Sequence, residues 1–207
     1  MTDQLPTDDD LDVDGRTARR DRNRIAVLDA VLALFTEGDL APSAEQVARR
    51  SGVSLRSVYR YVADGEDLAR AAIERHLERV GHLFSIHAIG EGPFDERLER
   101  FVTARLRLYE AIAPTARASR LRAPTSETIR EQLETGRRAL RDQIDRHFAP
   151  ELDRLEPRAR RAALAAADVL TQNEGIDHYR VHRGFSSGET HELLAASLAR
   201  LLTNADY

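Results

Sequence analysis

The sequence predicts an all-α protein: a small N-terminal three-helix unit followed by a larger helical bundle, about nine helices in total. Three observations predict this class. Apolar residues recur at three- and four-residue steps from Arg16 almost to the end of the chain, the spacing that gathers side chains on one helix face. No apolar–polar alternation of useful length occurs, so strands are not expected. Hydroxyl residues and glycines punctuate the periodic stretches where helix starts and stops belong.

Taken in order, residues 1–15 carry six aspartates and no base, with Pro6 and no periodicity. That composition predicts a disordered acidic tail. From Arg16 a first helix turns Ile25, Leu28, Leu32 and Phe35 inward and is stopped by Gly38. Ser43-Ala-Glu-Gln46 fits a capping box ahead of Val47 and Ala48, so a short second helix runs to Ser51-Gly52. Ser54 then caps a third helix, Leu55 to Tyr61. Asp64 opens a fourth that reaches about Phe84, with Glu66 and Asp67 in the first turn, where the helix dipole favours acids.

The stretch Gly90 to Pro93 breaks the chain before a fifth helix, Phe94 to Ile112, with Leu98, Phe101, Leu108 and Ile112 inward. Pro114 and Pro124 bracket a short sixth. Thr125 to Phe148 forms a seventh, with Ile129, Leu133, Leu140, Ile144 and Phe148 in near-heptad register. Pro157 suits the first turn of an eighth reaching about Arg183. Gly184 to Gly188 makes a turn, and His191 to Leu202 the ninth helix. The expected division is a tail at 1–15, a helix-turn-helix domain at 16–63 and a helical domain at 64–207.

Composition narrows the function. At 207 residues, 42% of them apolar, the chain can bury a sizeable core. No apolar run approaches the ~20 residues a membrane span needs, and the N-terminus has no hydrophobic signal region. Membrane partners are therefore not expected, and a cytoplasmic location is. There are no cysteines, which excludes disulfides and thiolate metal sites. The formal net charge is −4, yet residues 16–62 hold nine arginines against five acids. Positive charge concentrated in one short segment is the footprint of a nucleic-acid module. All 31 basic residues are arginine, a bias that genomic base composition explains as readily as function.

That basic segment contains two short helices joined through a glycine turn, a helix-turn-helix. Gly52 permits a reversal that a β-carbon would obstruct. Val53 and Val58 pin the second helix to the first. Leu55, Arg56, Tyr59 and Arg60 then face outward, three and four residues apart, on a helix that fits the major groove. Arginine is suited to bidentate contact with guanine edges, whereas tyrosine hydroxyls and helix N-termini usually hold phosphates. The candidate DNA contacts are Ser43, Ser54, Leu55, Arg56, Ser57, Tyr59, Arg60 and Tyr61. Arg16, Arg19, Arg20, Arg22 and Arg24 lead into the first helix and suit the backbone nearby. A solvated surface helix is the competing reading; the turn, the caps and the local basic excess together outweigh it.

At these residues the chain resembles the TetR family of transcriptional regulators. The resemblance is carried, in order, by Arg24-Ile25, Leu34-Phe35, Gly38, the hydroxyl at Ser43, Val47-Ala48, Gly52-Val53-Ser54, Tyr59, Tyr61 and Glu66-Asp67-Leu68. It covers about 50 residues. Arg183-Gly184-Phe185-Ser186 looks like the turn often found between the last two helices of that family. The departures are informative. Ser43 stands where threonine is usual, and Val62 where phenylalanine is. Gly65 replaces a lysine that commonly holds a phosphate. Arg56 replaces a small residue and adds a cation to the DNA face.

The resemblance implies a double-stranded DNA operator as partner, read as an imperfect palindrome by a homodimer. It also implies an unknown small-molecule effector, and a fourth helix that transmits ligand binding to the reading head so that DNA affinity falls; a ligand-released repressor is the expectation, with activation left open. The sequence agrees in outline: small residues open the eighth helix at AALAAADVL, and Leu194, Leu198 and Leu201 form a stripe on the ninth. Those leucines suit an intramolecular core equally. Effector candidates are polar interruptions of apolar helix faces and nearby aromatics: Phe84, Phe101, Arg105, Tyr109, Thr171, Glu174 and His178. Groups of this kind orient apolar ligands, and they are equally suited to satisfying one another or facing solvent.

No cofactor is expected. His178 and His182 have metal-ligand spacing but no third ligand, so no metal is expected either. No phosphate-cradling glycine loop or cysteine nucleophile points to an α-helical enzyme. A DNA-binding protein without an effector would need stronger non-specific charge than a net −4 provides.

Overall fold

The structure is a computed structural model and describes residues 8–61 and 64–203, with side chains from residue 17 onward. Among the described residues it is entirely helical: α1 (Asp8–Thr36), α2 (Ala44–Ser51), α3 (Leu55–Tyr61), α4 (Gly65–Val80), α5 (Phe94–Arg122), α6 (Glu127–His147), α7 (Ala149–Leu152), α8 (Pro157–Thr171), α9 (Asn173–Asp177) and α10 (Ser187–Thr203). A 3-10 turn, Gly81–Phe84, follows α4, and a π-helical segment, His178–His182, follows α9. No described helix is long and apolar enough to cross a membrane. The chain divides into two compact units, residues 1–76 and 77–207, with the division inside α4.

In the first unit α1 begins at Asp8, eight residues before the periodicity at Arg16. Residues 1–7 of the expected acidic tail lie outside the described residues, whereas 8–15 are helical. A helix already nucleated extends at the cost of fixing one residue per hydrogen bond, so it outruns the apolar pattern. The buried face of α1 is Val27, Leu28, Ala30, Val31 and Phe35, while Ile25, expected inward, is 41% exposed. Val47, Val58, Leu68, Ala69, Ala72 and Ile73 supply the buried residues of α2 to α4. Asp64 caps α4, its Oδ1 accepting from the Asp67 N–H at 2.9 Å. Arg75 of α4 meets Asp29 of α1 at 3.3 Å.

In the second unit α5 runs unbroken through Pro114, so the short helix expected between two prolines does not exist. Proline removes one helix N–H and crowds the preceding turn. Buried Ile112, Ala113, Thr115, Ala116 and Ala118 on either side of it hold the helix together. The expected eighth helix is instead α8, a break at the extended residue Gln172, then α9 and the π segment. Gly175 explains the break: a β-carbon there would stand 2.2 Å from the Val169 carbonyl oxygen, so only glycine allows α9 to pack against the end of α8. Helix α10 starts at Ser187, four residues earlier than expected. Ser186 caps it, Oγ accepting from the Glu189 N–H at 3.2 Å while Glu189 accepts from the Ser186 N–H at 2.8 Å.

Two apolar clusters fill this unit. The larger joins Leu98, Phe101, Val102, Leu106 and Tyr109 of α5 to Ile144, Phe148, Leu152, Leu194, Leu198 and Leu202. The smaller joins Leu108, Ile112 and Ala116 to Leu140, with Leu83 and Phe84 packed against it. Leu194 and Leu198 therefore belong to the subunit's own core.

Candidate nucleic-acid interface

Helix α2 is held at both ends by local chemistry. The Ser43 Oγ accepts from the Gln46 N–H at 3.3 Å, and the Gln46 Oε1 accepts from the Ser43 N–H at 2.7 Å. Such a cap contributes about 1 kcal/mol. Gln46 Nε2 also donates to Asp39 Oδ2 at 2.7 Å, tying the cap to the preceding loop. Hydrogen bonding to its own backbone and to Ser43 holds the Glu45 carboxyl below its ordinary pKa. At the other end Gly52 adopts φ 70°, ψ 10°, and its N–H donates to the Ala48 carbonyl at 3.1 Å. The left-handed conformation suits glycine and reverses the chain.

Val53 and Val58, 8% and 0% exposed, anchor α3 and the turn before it. Burying a valine such as Val58 contributes about 1.5–2 kcal/mol, enough to fix the rotation of a seven-residue helix. Ser54 starts α3, its Oγ accepting from the Ser57 N–H at 3.3 Å and donating to the Ser57 Oγ at 3.0 Å. The outward residues are Ser54, Arg56, Tyr59 and Arg60, with Tyr59 55% exposed. Arg56 has no hydrogen-bond or ion-pair partner among the described residues. Arg60 lies over the Tyr61 ring at 5.4 Å and donates to its hydroxyl at 3.3 Å. Leu55, Ser57 and Tyr61 are half-buried, so Leu55 is less outward than its helical position predicts. Arg19, Arg20, Arg22 and Arg24 are exposed on α1. Val62 and the side chain of Arg16 lie outside the described residues. Gly65, the first residue of α4, has nothing within 4 Å of where a β-carbon would stand.

The effector candidates of the second unit fall into separate environments. Phe101 is a core residue, its ring 5.1 Å from Phe148, and the Arg105 guanidinium lies over it at 4.6 Å. Arg105 donates to Gln143 Oε1, and Gln143 Nε2 donates to the Phe84 carbonyl, which gathers two of the seven around one glutamine. Tyr109 donates to Asp177 Oδ1 at 2.8 Å. Arg117 and Arg120 meet the same carboxylate at 2.7 and 2.6 Å, and Arg120 stands 3.9 Å from Glu174. Burial and the hydrogen bond to Asp177 push the Tyr109 hydroxyl up to about 12. Burial alone would raise the Asp177 carboxyl; the bonds from Arg117 and Tyr109 outweigh it and hold the group below its ordinary value. Glu174, bound at 2.5 Å by Arg137, is lowered in the same way against its own burial.

Thr171 bonds back to the Ala167 carbonyl at 2.8 Å. His178 lines a groove of about 450 Å³ with Val169, Leu170, Tyr179, Phe185 and Leu193. Asp177, the anion at the centre of this network, is not among the residues that sequence reasoning selects. Its position one turn after Glu174 on the same polar stripe is the available signal. No group of three or more potential ligand side chains occurs among the described residues that would hold a metal.

In sequence, no protein-family model and no curated protein matches the chain. In structure it is similar to a TetR-family transcriptional regulator from Streptomyces coelicolor, at 22% identity and TM-score 0.65 over 87% of this chain and 80% of that one. A transcriptional regulator from Rhodococcus sp. Rha1 matches at 18% identity and TM-score 0.65, over 91% and 98% of the two chains. A TetR/AcrR-family regulator from Aquifex aeolicus VF5 matches at 20% identity and TM-score 0.56, over 85% and 97%. Helix-turn-helix and bundle together thus give this chain the fold of the TetR-family transcriptional regulators.

Proposed function

We propose that this protein is a transcriptional regulator that binds operator DNA as a homodimer and releases it when a small molecule binds the second unit. One observation carries the DNA-binding part. A capped α2, a glycine turn and an α3 anchored by Val58 present an arginine without a partner among the described residues, Arg56, beside exposed Tyr59 and Arg60. In this reading Arg56 contacts base edges in the major groove, Ser43, Ser54, Ser57, Tyr59 and Tyr61 set the register on phosphates, and Arg60 serves either purpose. The exposed arginines of α1 follow the backbone.

The homodimer is supported by the outward faces of α8 and α10, where Val169 and Leu193 are 68% and 40% exposed and Ala162, Ala165 and Ala196 are exposed with them. Small residues of this kind let two helix pairs approach closely. A dimer places its reading helices about 34–36 Å apart, one turn of DNA. Ligand release requires only that the effector prefer the state whose helix spacing mismatches the operator.

Selection of bound sequences from random DNA tests the proposal directly. The expected product is an imperfect palindrome held by two chains, as read by light scattering of the complex. Arg56→Ala is expected to cost about 1–3 kcal/mol of discrimination between operator and random DNA. Equal losses on both DNAs would remove Arg56 from base reading.

A further inference from the structure

Helix α5 buries three arginines, Arg97, Arg105 and Arg122, and the first two, eight residues apart, are treated in opposite ways. Arg97 is 3% exposed and fully compensated. Its Nη2 and Nη1 donate to the two Glu151 oxygens at 2.5 and 2.9 Å, Nη1 also to the His147 carbonyl at 2.6 Å, and Nε to the Gly92 carbonyl at 3.0 Å. Arg105 is 2% exposed and has no carboxylate partner among the described residues. Its Nη1 reaches the neutral Gln143 Oε1 and its Nη2 the Leu140 carbonyl, both at 2.7 Å, while Nε is buried with no acceptor among the described residues. The acid whose field reaches it is Asp168, and that carboxylate accepts from Gln172 Nε2 at 2.6 Å.

Burial pulls the Arg105 guanidinium down to about 10, which still leaves it charged at neutral pH. An unpaired charge in an apolar interior is among the most unfavourable groups a fold can hold. Its surroundings are apolar on both sides. The guanidinium lies over Phe101 of the larger cluster and bonds the Leu140 carbonyl of the smaller one.

We propose that Arg105 is the counter-ion for a small organic carboxylate with an apolar body, bound where the two apolar clusters of the second unit meet. The proposal rests on the ligand-responsive function above and names the chemical class of the effector. A single uncompensated positive charge calls for a monoanion, because a doubly charged phosphate would leave a net negative charge in the same interior. A carboxylate accepting from Nε satisfies the donor that Gln143 and Leu140 leave over, and it adds the charge that a neutral amide cannot supply. The apolar body lies against Phe101 and Leu140, with Gln143 as the side chain that must give way.

The test uses the full chain with hexanoate, octanoate and decanoate, each beside its methyl ester, at concentrations below micelle formation. Binding is read by calorimetry and by the thermal midpoint. At least one acid of the series is expected to bind and to raise the midpoint, with its ester at least tenfold weaker. Arg105→Gln is expected to lose tenfold or more for the acid and nothing for the ester, and Arg105→Lys to keep part of the preference. Equal binding of acid and ester by the wild type overturns the proposal, as does an unchanged acid affinity in Arg105→Gln or the absence of binding by every acid. If either variant fails to fold, the acid–ester comparison on the wild type decides alone. Operator affinity is measured in the same samples. An acid that binds through Arg105 without releasing DNA upholds this site and removes ligand release, whereas release by the esters alone does the reverse.

Discussion

Helices α3 and α5 use arginine in opposite ways. On α3 Arg56 stands exposed and without a partner among the described residues, on a helix held by a single buried valine. On α5 Arg97 and Arg105 are almost fully buried. An exposed cation costs little and stays available to a partner, so its neighbours need only fix the backbone. A buried cation must be answered by the protein or by something that enters it. Arg97 is answered by Glu151, and Arg105 by neutral oxygens alone.

The largest effect that would sharpen this contrast is expected from Arg97→Ala. It strands the Glu151 carboxylate, 7% exposed, without its cation. A loss of about 3–5 kcal/mol is expected in chemical denaturation. The double substitution Arg97→Met with Glu151→Leu should recover most of it, and failure to recover would mean that the pair matters for more than its charge.

A smaller effect is expected from pH. Neutral His147 accepts at Nδ1 from the Gly90 N–H at 3.1 Å, and its Nε2 lies 2.9 Å from the Arg97 carbonyl, to which it donates. Burial first, and the nearby Arg100, Arg97 and Arg105 cations with it, hold its pKa below the ordinary 6.5 despite the raising effect of the bond to Arg97. The unfolded chain therefore takes up this proton first as pH falls. Stability from this group is complete above about pH 6.5 and declines below it, by at most about 1.4 kcal/mol per pH unit, until the folded state also protonates. Denaturation between pH 7.5 and 5 measures the slope, and His147→Gln should flatten it.

The smallest effect is expected at the proposed DNA-binding unit. Gly65→Lys fills open space at the start of α4 and adds a cation that the proposed function sets beside a phosphate. Affinity for operator and random DNA should rise together by a few-fold, with the salt dependence steeper by about one unit. A gain confined to the operator would mean that residue 65 touches bases.

The helix-turn-helix was legible in the sequence because its determinants are local. Ser43 reaches Gln46 three residues on, Gly52 ends the helix it follows, and Val47 and Val58 announce their own burial. Much of the second unit is decided by neighbours distant in the chain. Pro114 signals a break, yet the packing around it keeps α5 continuous. The polar stripe Thr171, Glu174 and His178 suggests one continuous helix face. Gly175 against the Val169 carbonyl divides it, and the Arg117 and Arg120 side chains gather on the unanticipated Asp177. The start of α10 could have been read, since Ser186-Ser-Gly-Glu189 is itself a capping box; Gly184 before it and Gly188 within it obscured the signal.

The bond from Gly90 to His147 gives this protein a built-in spectroscopic probe. A glycine amide in a surface loop normally exchanges its hydrogen with solvent within seconds, yet this one ends on the ring of a histidine that is 0% exposed. It should exchange as slowly as the amides of α5 itself. Its nitrogen resonance then reports, at one resolved position, whether the interior beside Arg97 is closed.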